Sequence, residues 1–149
     1  MTINQSGFGL SAFITASNTF PDGIVLTAFP DDTDPMENPP LQVTETGMGL
    51  NGNMVAWSRP AVIEVALSVI TTTQDDLNLE ALEDANRVSL GKVGAQDNIH
   101  LVINYPNGRK RTLQNGVIAA GPILPVVVNS GRYQTRTYRF RFENIAAAN

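Results

Sequence analysis

The chain contains no cysteine. A disulfide framework and a thiolate metal site are therefore excluded. Histidine occurs once, at His100, and tryptophan once, at Trp57. Charged residues make up 16%, well under the roughly 25% usual for soluble domains. Little of the surface must then stay wet, a composition suited to subunit contacts. Long apolar runs are missing too: residues 123–128 fall far short of the roughly 20 needed to cross a bilayer. The first residues carry no basic n-region. No membrane insertion by the chain and synthesis in a cytoplasm are the expectations.

What is present reads as one domain over residues 1–149, mainly β, an antiparallel sandwich or barrel with one flanking helix. Residues 8–16 and 24–29 are β-rich. Residues 30–40, PDDTDPMENPP, hold four prolines and four acids. Proline lacks the backbone donor a sheet needs, so this stretch is expected to be an exposed arm that joins no sheet of its own subunit. Asn51-Gly52 favours a type I′ hairpin leading into residues 54–59. Residues 61–70 are too β-branched for a helix.

The helix falls at about residues 74–88, capped by Thr72 or Thr73, with Asp75 and Asp76 in its first turn and Arg87 in its last. Leu79 and Leu82 face inward, whereas Glu80, Glu83 and Asp84 are expected to face water. Beyond it, Ile99, Leu101 and Ile103 share a strand face. Pro106-Asn107-Gly108 and Asn115-Gly116 are expected turns. Residues 133–143 alternate strictly, with Tyr138, Phe140 and Phe142 on one face and Arg139, Arg141 and Glu143 on the other.

Chemistry is sparse. His100 could join Asp97 and a serine, but no nucleophile context accompanies it. Asp31, Asp32 and Asp34 miss the EF-hand register, which requires a turn glycine and a closing glutamate. The glycines of residues 47–52 open no helix and precede no Walker lysine. No enzyme, no cofactor and no metal is expected. Charge is unevenly spread: residues 1–100 hold 13 acids and 3 bases, residues 101–149 hold 1 acid and 7 bases. A basic second half invites nucleic-acid binding, or it meets the acidic surface of another copy.

Several segments, in order, resemble the tail tube proteins of tailed bacteriophages. They are residues 18–23 (NTFPDG), 31–35 (DDTDP), 46–52 (TGMGLNG), 57–60 (WSRP), 84–87 (DANR) and the closing arginine- and phenylalanine-rich strand. The resemblance implies a virion structural protein forming stacked hexameric rings, a hollow tube for DNA ejection without sequence-specific binding. Sheath, baseplate and tail terminator proteins are the implied partners, and a contractile tail fits weakly. The expected subunit contacts are Asp31, Asp32, Asp34, Met36 and Leu41 on the arm, with Arg139 and Arg141 on the last strand. Two other readings stay open: a nucleic-acid-binding β-barrel using the basic C-terminal strand, and a small hydrolase or ligand-binding barrel.

Overall fold

A computed structural model describes residues 2–146. Met1 and residues 147–149, which the single-domain reading includes, lie outside the described residues. The elements in order are β1 (Ser11–Ala16), β2 (Phe20–Leu26), β3 (Met36–Glu37), β4 (Glu45–Met48), β5 (Met54–Trp57), β6 (Ile63–Val69), α1 (Gln74–Asn86), β7 (Ile99–Asn104), β8 (Lys110–Ala120) and β9 (Arg136–Ile145). Seven strands form one antiparallel sheet in the order β2-β1-β7-β8-β9-β6-β3, and β4 and β5 form a separate hairpin. The fold is mainly β with one helix, as the sequence implies. The sheet remains open, so the barrel alternative is corrected to a folded-over sandwich.

The fold-over is made by β8. Its first half pairs with β7 and its second half with β9. Between the Leu101–Leu113 and Ile99–Gly116 pairs β8 carries one residue more than β7, a β-bulge. Asn115 supplies the bulge with a φ of 55°. The Asn115-Gly116 turn expected from sequence is thus a corner inside a strand: the same tolerance of positive φ serves either geometry. Around the corner both halves of the sheet face one core, built from Ile14, Leu26, Leu67, Leu101, Tyr138, Phe140 and Phe142 among others. At one end the segments that follow β2 and β6 approach each other, where the Ile70 amide donates to the Ala28 carbonyl at 2.9 Å.

Helix α1 covers this core with Leu79 and Leu82, both fully buried. Thr73 caps it, its side chain accepting from the Asp76 amide. Asp75 accepts from the Thr27 and Ala28 amides at 2.9 and 2.8 Å, tying the helix to the end of β2. Two sequence expectations are corrected here, and Asp76, in the first turn as expected, makes further contacts. The helix stops at Asn86, and Arg87 is its C-cap instead of a last-turn residue. Glu80 does not simply face water, since it pairs with Arg136 at 3.2 Å. Asp76 is 2% exposed and bonds Arg136 and the Tyr138 hydroxyl.

Two loops also differ from expectation. The arm of residues 30–40 does join a sheet of its own subunit, because Met36 and Glu37 pair with Leu67 and Ala66 of β6. The prolines flank this short stretch at Pro35, Pro39 and Pro40, leaving Met36–Glu37 free to form the ladder. The β4–β5 loop closes with Gly52 donating to the Gly49 carbonyl and Gly49 to the Asn53 carbonyl, and Gly52 alone takes a positive φ of 91°. That is a three-residue loop with a glycine bulge in place of type I′, which needs positive φ at Asn51 as well.

Candidate assembly surfaces

The residues expected to make subunit contacts fall in two places on the second half of the sheet. On the arm, Asp31 forms an exposed ion pair with Arg132 at 3.0 Å. The hydrogen bond from Arg132 holds the Asp31 carboxyl below its usual value, and the same contact raises Arg132. Thr135 donates to Asp32 at 2.6 Å. Asp34 is exposed, Met36 packs against the core, and Leu41 is half exposed. Tying the arm down this way contradicts a free arm and preorganises its acids.

On β9, Arg139 and Arg141 both project outward, as the alternation requires. Arg139 stands opposite Ala66, and Ala66 stands opposite Glu37 of the arm. Glu37 of the arm and Arg139 therefore share one cross-strand row, and Arg141 lies two residues along, opposite Glu64. Arg139 also lies 3.7 Å from Glu64 of its own chain. An exposed pair of this kind contributes about 0–1 kcal/mol. Arg141, in register with Glu64, has no carboxylate within 4.0 Å among the described residues.

Sequence reasoning missed an exposed apolar element. In the β4–β5 hairpin Met48, Leu50, Met54, Val55 and Trp57 are all about half exposed or more. Both faces of β5 are apolar, and all four of its residues are exposed. Two strands alone are marginally stable in water. Besides its own ladder, the hairpin is braced by Glu45, which accepts from Trp57 Nε1 at 2.7 Å and pairs with Arg59 at 3.0 Å. The signal was present in Met54-Val55-Ala56-Trp57, whose lack of polar alternation leaves no solvent face. A second apolar surface lies on residues 123–133, where Ile123, Leu124, Val127 and Tyr133 are exposed.

Of the residues weighed for catalysis, Asp97 ties three segments together. Asp97 is 3% exposed and accepts from the Asn18 and Thr19 amides, the Thr19 hydroxyl and the Asn86 side chain. Burial pushes its carboxyl up, but these hydrogen bonds outweigh burial and hold it below the usual value. Its partners are thus the β1–β2 turn and the end of α1. His100 is half-buried on β7, opposite Thr15. Burial raises Glu83, whose Oε2 lies buried without a hydrogen-bond partner, and burial together with Asp76 raises the Tyr138 hydroxyl. Among the described residues no group of His, Asp and Glu is arranged to hold a metal, and no helix is long and apolar enough to cross a membrane.

Residues 3–146 match the family described as tail fiber protein gp32. Among solved structures, a chain of the anti-feeding prophage baseplate, 6-fold symmetrised, aligns at a TM-score of 0.56 and 9% identity, over 98% of this chain and 96% of that one. A chain of the PVC sheath-tube complex in its extended state, from an extracellular contractile injection system, aligns at a TM-score of 0.47 and 12% identity, over 91% and 86%. No curated protein matches.

Proposed function

The chain belongs to the tail fiber protein gp32 family and is a structural component of a phage tail, and from that premise we propose that it is the tube subunit. In this reading six copies form a ring, rings stack, and DNA leaves through the lumen. The subunit is non-catalytic and binds no cofactor. Sheath, baseplate and terminator proteins are its neighbours in the particle.

The observation that carries the proposal is an open sheet accompanied by an apolar hairpin with both faces exposed. Such a hairpin needs a covering surface, and exposed strand edges invite pairing. A ring satisfies both needs at once. Six subunits giving about four strands each, about 4.8 Å apart, close a circumference of about 115 Å. The shared fold with a chain from a 6-fold symmetrised assembly supports the same symmetry. The nucleic-acid alternative loses weight, because Arg132, Arg136 and Arg139 in the basic second half face carboxylates of their own chain.

The family description favours one other reading, a fibre component. Symmetry distinguishes the two. Negative-stain and electron cryomicroscopy of concentrated protein, with baseplate proteins added as initiator, should show six-fold rings or tubes with an open lumen. Solid rods or three-fold particles without a lumen would replace the tube reading with the fibre reading.

A further inference from the structure

The turn between β7 and β8 sets three bases in a row, Arg109, Lys110 and Arg111. Elsewhere the bases are mostly accounted for within the chain. Arg59, Arg87, Arg132, Arg136 and Arg139 each have a carboxylate within 4.0 Å. Lys92 donates to the carbonyls of Asp84 and Arg87 beyond the helix end. Among the described residues, none of the three turn bases has such a partner. Adjacent like charges repel, so the turn carries an uncompensated positive field.

The turn is also shaped and fixed. The Tyr105 amide donates to the Arg109 carbonyl at 2.9 Å, and the Gly108 amide to the Tyr105 carbonyl at 3.0 Å. Asn107 Oδ1 accepts from the Arg109 amide at 3.1 Å. Tyr105, Asn107, Arg109 and Arg111 line a groove of about 320 Å³. The charge is therefore presented on a rigid, concave surface, which lowers the cost of binding.

A complement exists in the same sequence but not in contact with the turn. On the docked arm Asp34 and Glu37 are exposed, and among the described residues neither has a base within 4.0 Å. The Asp31–Arg132 pair, the Thr135–Asp32 bond and the β3–β6 ladder hold the arm in place. We propose that the groove at the β7–β8 turn receives the acidic arm of a second copy, with Asp34 and Glu37 facing Arg109 and Arg111 in the groove and Lys110 beside it. Two different surfaces meet, so the contact is heterologous and propagates from copy to copy. The proposal rests on the tube reading and names one of its contacts. Nucleic acid is the competing occupant of the groove. A second copy is favoured because the chain carries net charge −4 and supplies the matching carboxylates already ordered.

The test uses the full chain in three charge-reversed forms: Arg109→Glu with Lys110→Glu and Arg111→Glu, Asp34→Lys with Glu37→Lys, and all five together. Circular dichroism checks the fold, while sedimentation and microscopy measure the assembled fraction. Each partial reversal should lower assembly about tenfold or more, since juxtaposed like charges cost several kcal/mol, and the full reversal should restore it. Normal assembly by either partial reversal would overturn the contact and leave the tube reading standing. Impairment of both without rescue would show that the two segments have different partners, and would overturn their pairing. A 30-base-pair duplex that binds the wild type and not the turn variant, with assembly unchanged, would assign the groove to nucleic acid instead. A wild-type chain that never self-associates, even with initiator, overturns the tube reading and this contact together.

Discussion

At the scale of single residues, the buried carboxylates decide where the elements meet. Asp97 collects donors from the β1–β2 turn and from the last residue of α1, a junction between segments 79 and 11 residues away. Its folded carboxyl lies below the ordinary value of 3.8. A depressed carboxylate stabilises the fold above its unfolded pKa, and that contribution is lost as pH falls through the folded pKa. Asp97→Asn keeps the shape but loses acceptor capacity, so about 1–3 kcal/mol of stability should go at pH 7. Denaturant unfolding of both proteins at pH 7 and near pH 3 checks this. The gap between them should narrow on acidification, and a gap independent of pH would show that Asp97 contributes no charge-dependent bonding.

Among the elements, β8 is the one on which the sandwich turns. Gly116 follows the bulge and lies over Phe142: an added Cβ would come within 2.2 Å of the ring and 2.9 Å of the Arg141 carbonyl. The Arg141 oxygen is backbone and cannot rotate away. Gly116→Ala should therefore cost about 1–3 kcal/mol as an overpacking change, measured as a lower denaturation midpoint with an unchanged m-value. A midpoint equal to wild type would mean that the corner relaxes freely.

The same element shows what was legible beforehand. In β9 the alternation Tyr138, Phe140, Phe142 against Arg139 and Arg141 was readable because one face is buried and the other wet. The Asn115-Gly116 pair was not, since a turn and a bulge make the same demand on φ. In β6 Ala66 and Ser68 are buried along with Val65, Leu67 and Val69, so the alternation of residues 63–69 hid that its second face is covered too. Proline content made the arm look free because a ladder as short as Met36–Glu37 is invisible to composition. Of the candidate contacts, outward-facing Arg139 was foreseen. Its partner Glu64 was not, being set by strand order and not by local sequence.

For the molecule as a whole, the single tryptophan offers a direct report on assembly. Trp57 is 48% exposed on the β4–β5 hairpin, away from the core cluster. If that hairpin is covered when copies associate, Trp57 passes from water into an apolar contact. Its fluorescence emission should shift to shorter wavelength as the assembled fraction rises, and quenching by iodide should weaken in step. Emission that stays constant through assembly would exclude the hairpin from the contacts while leaving other surfaces available.

The place of β9 in the sheet also governs how the subunit comes into being. It lies between β8 and β6, so β6, apart from its two-residue ladder with β3, waits for a strand made some 70 positions later, as in the Ser68–Thr137 register. Until then, β1, β2, β7 and the first half of β8 can pair, whereas β6 has only the short β3 ladder to join. Closure between such distant segments is entropically slow. Folding should therefore proceed in two stages, the rate of the second set by capture of β9. During synthesis the subunit closes its core in a single late step, so that a nascent chain presents no finished sheet on which another copy could be recruited.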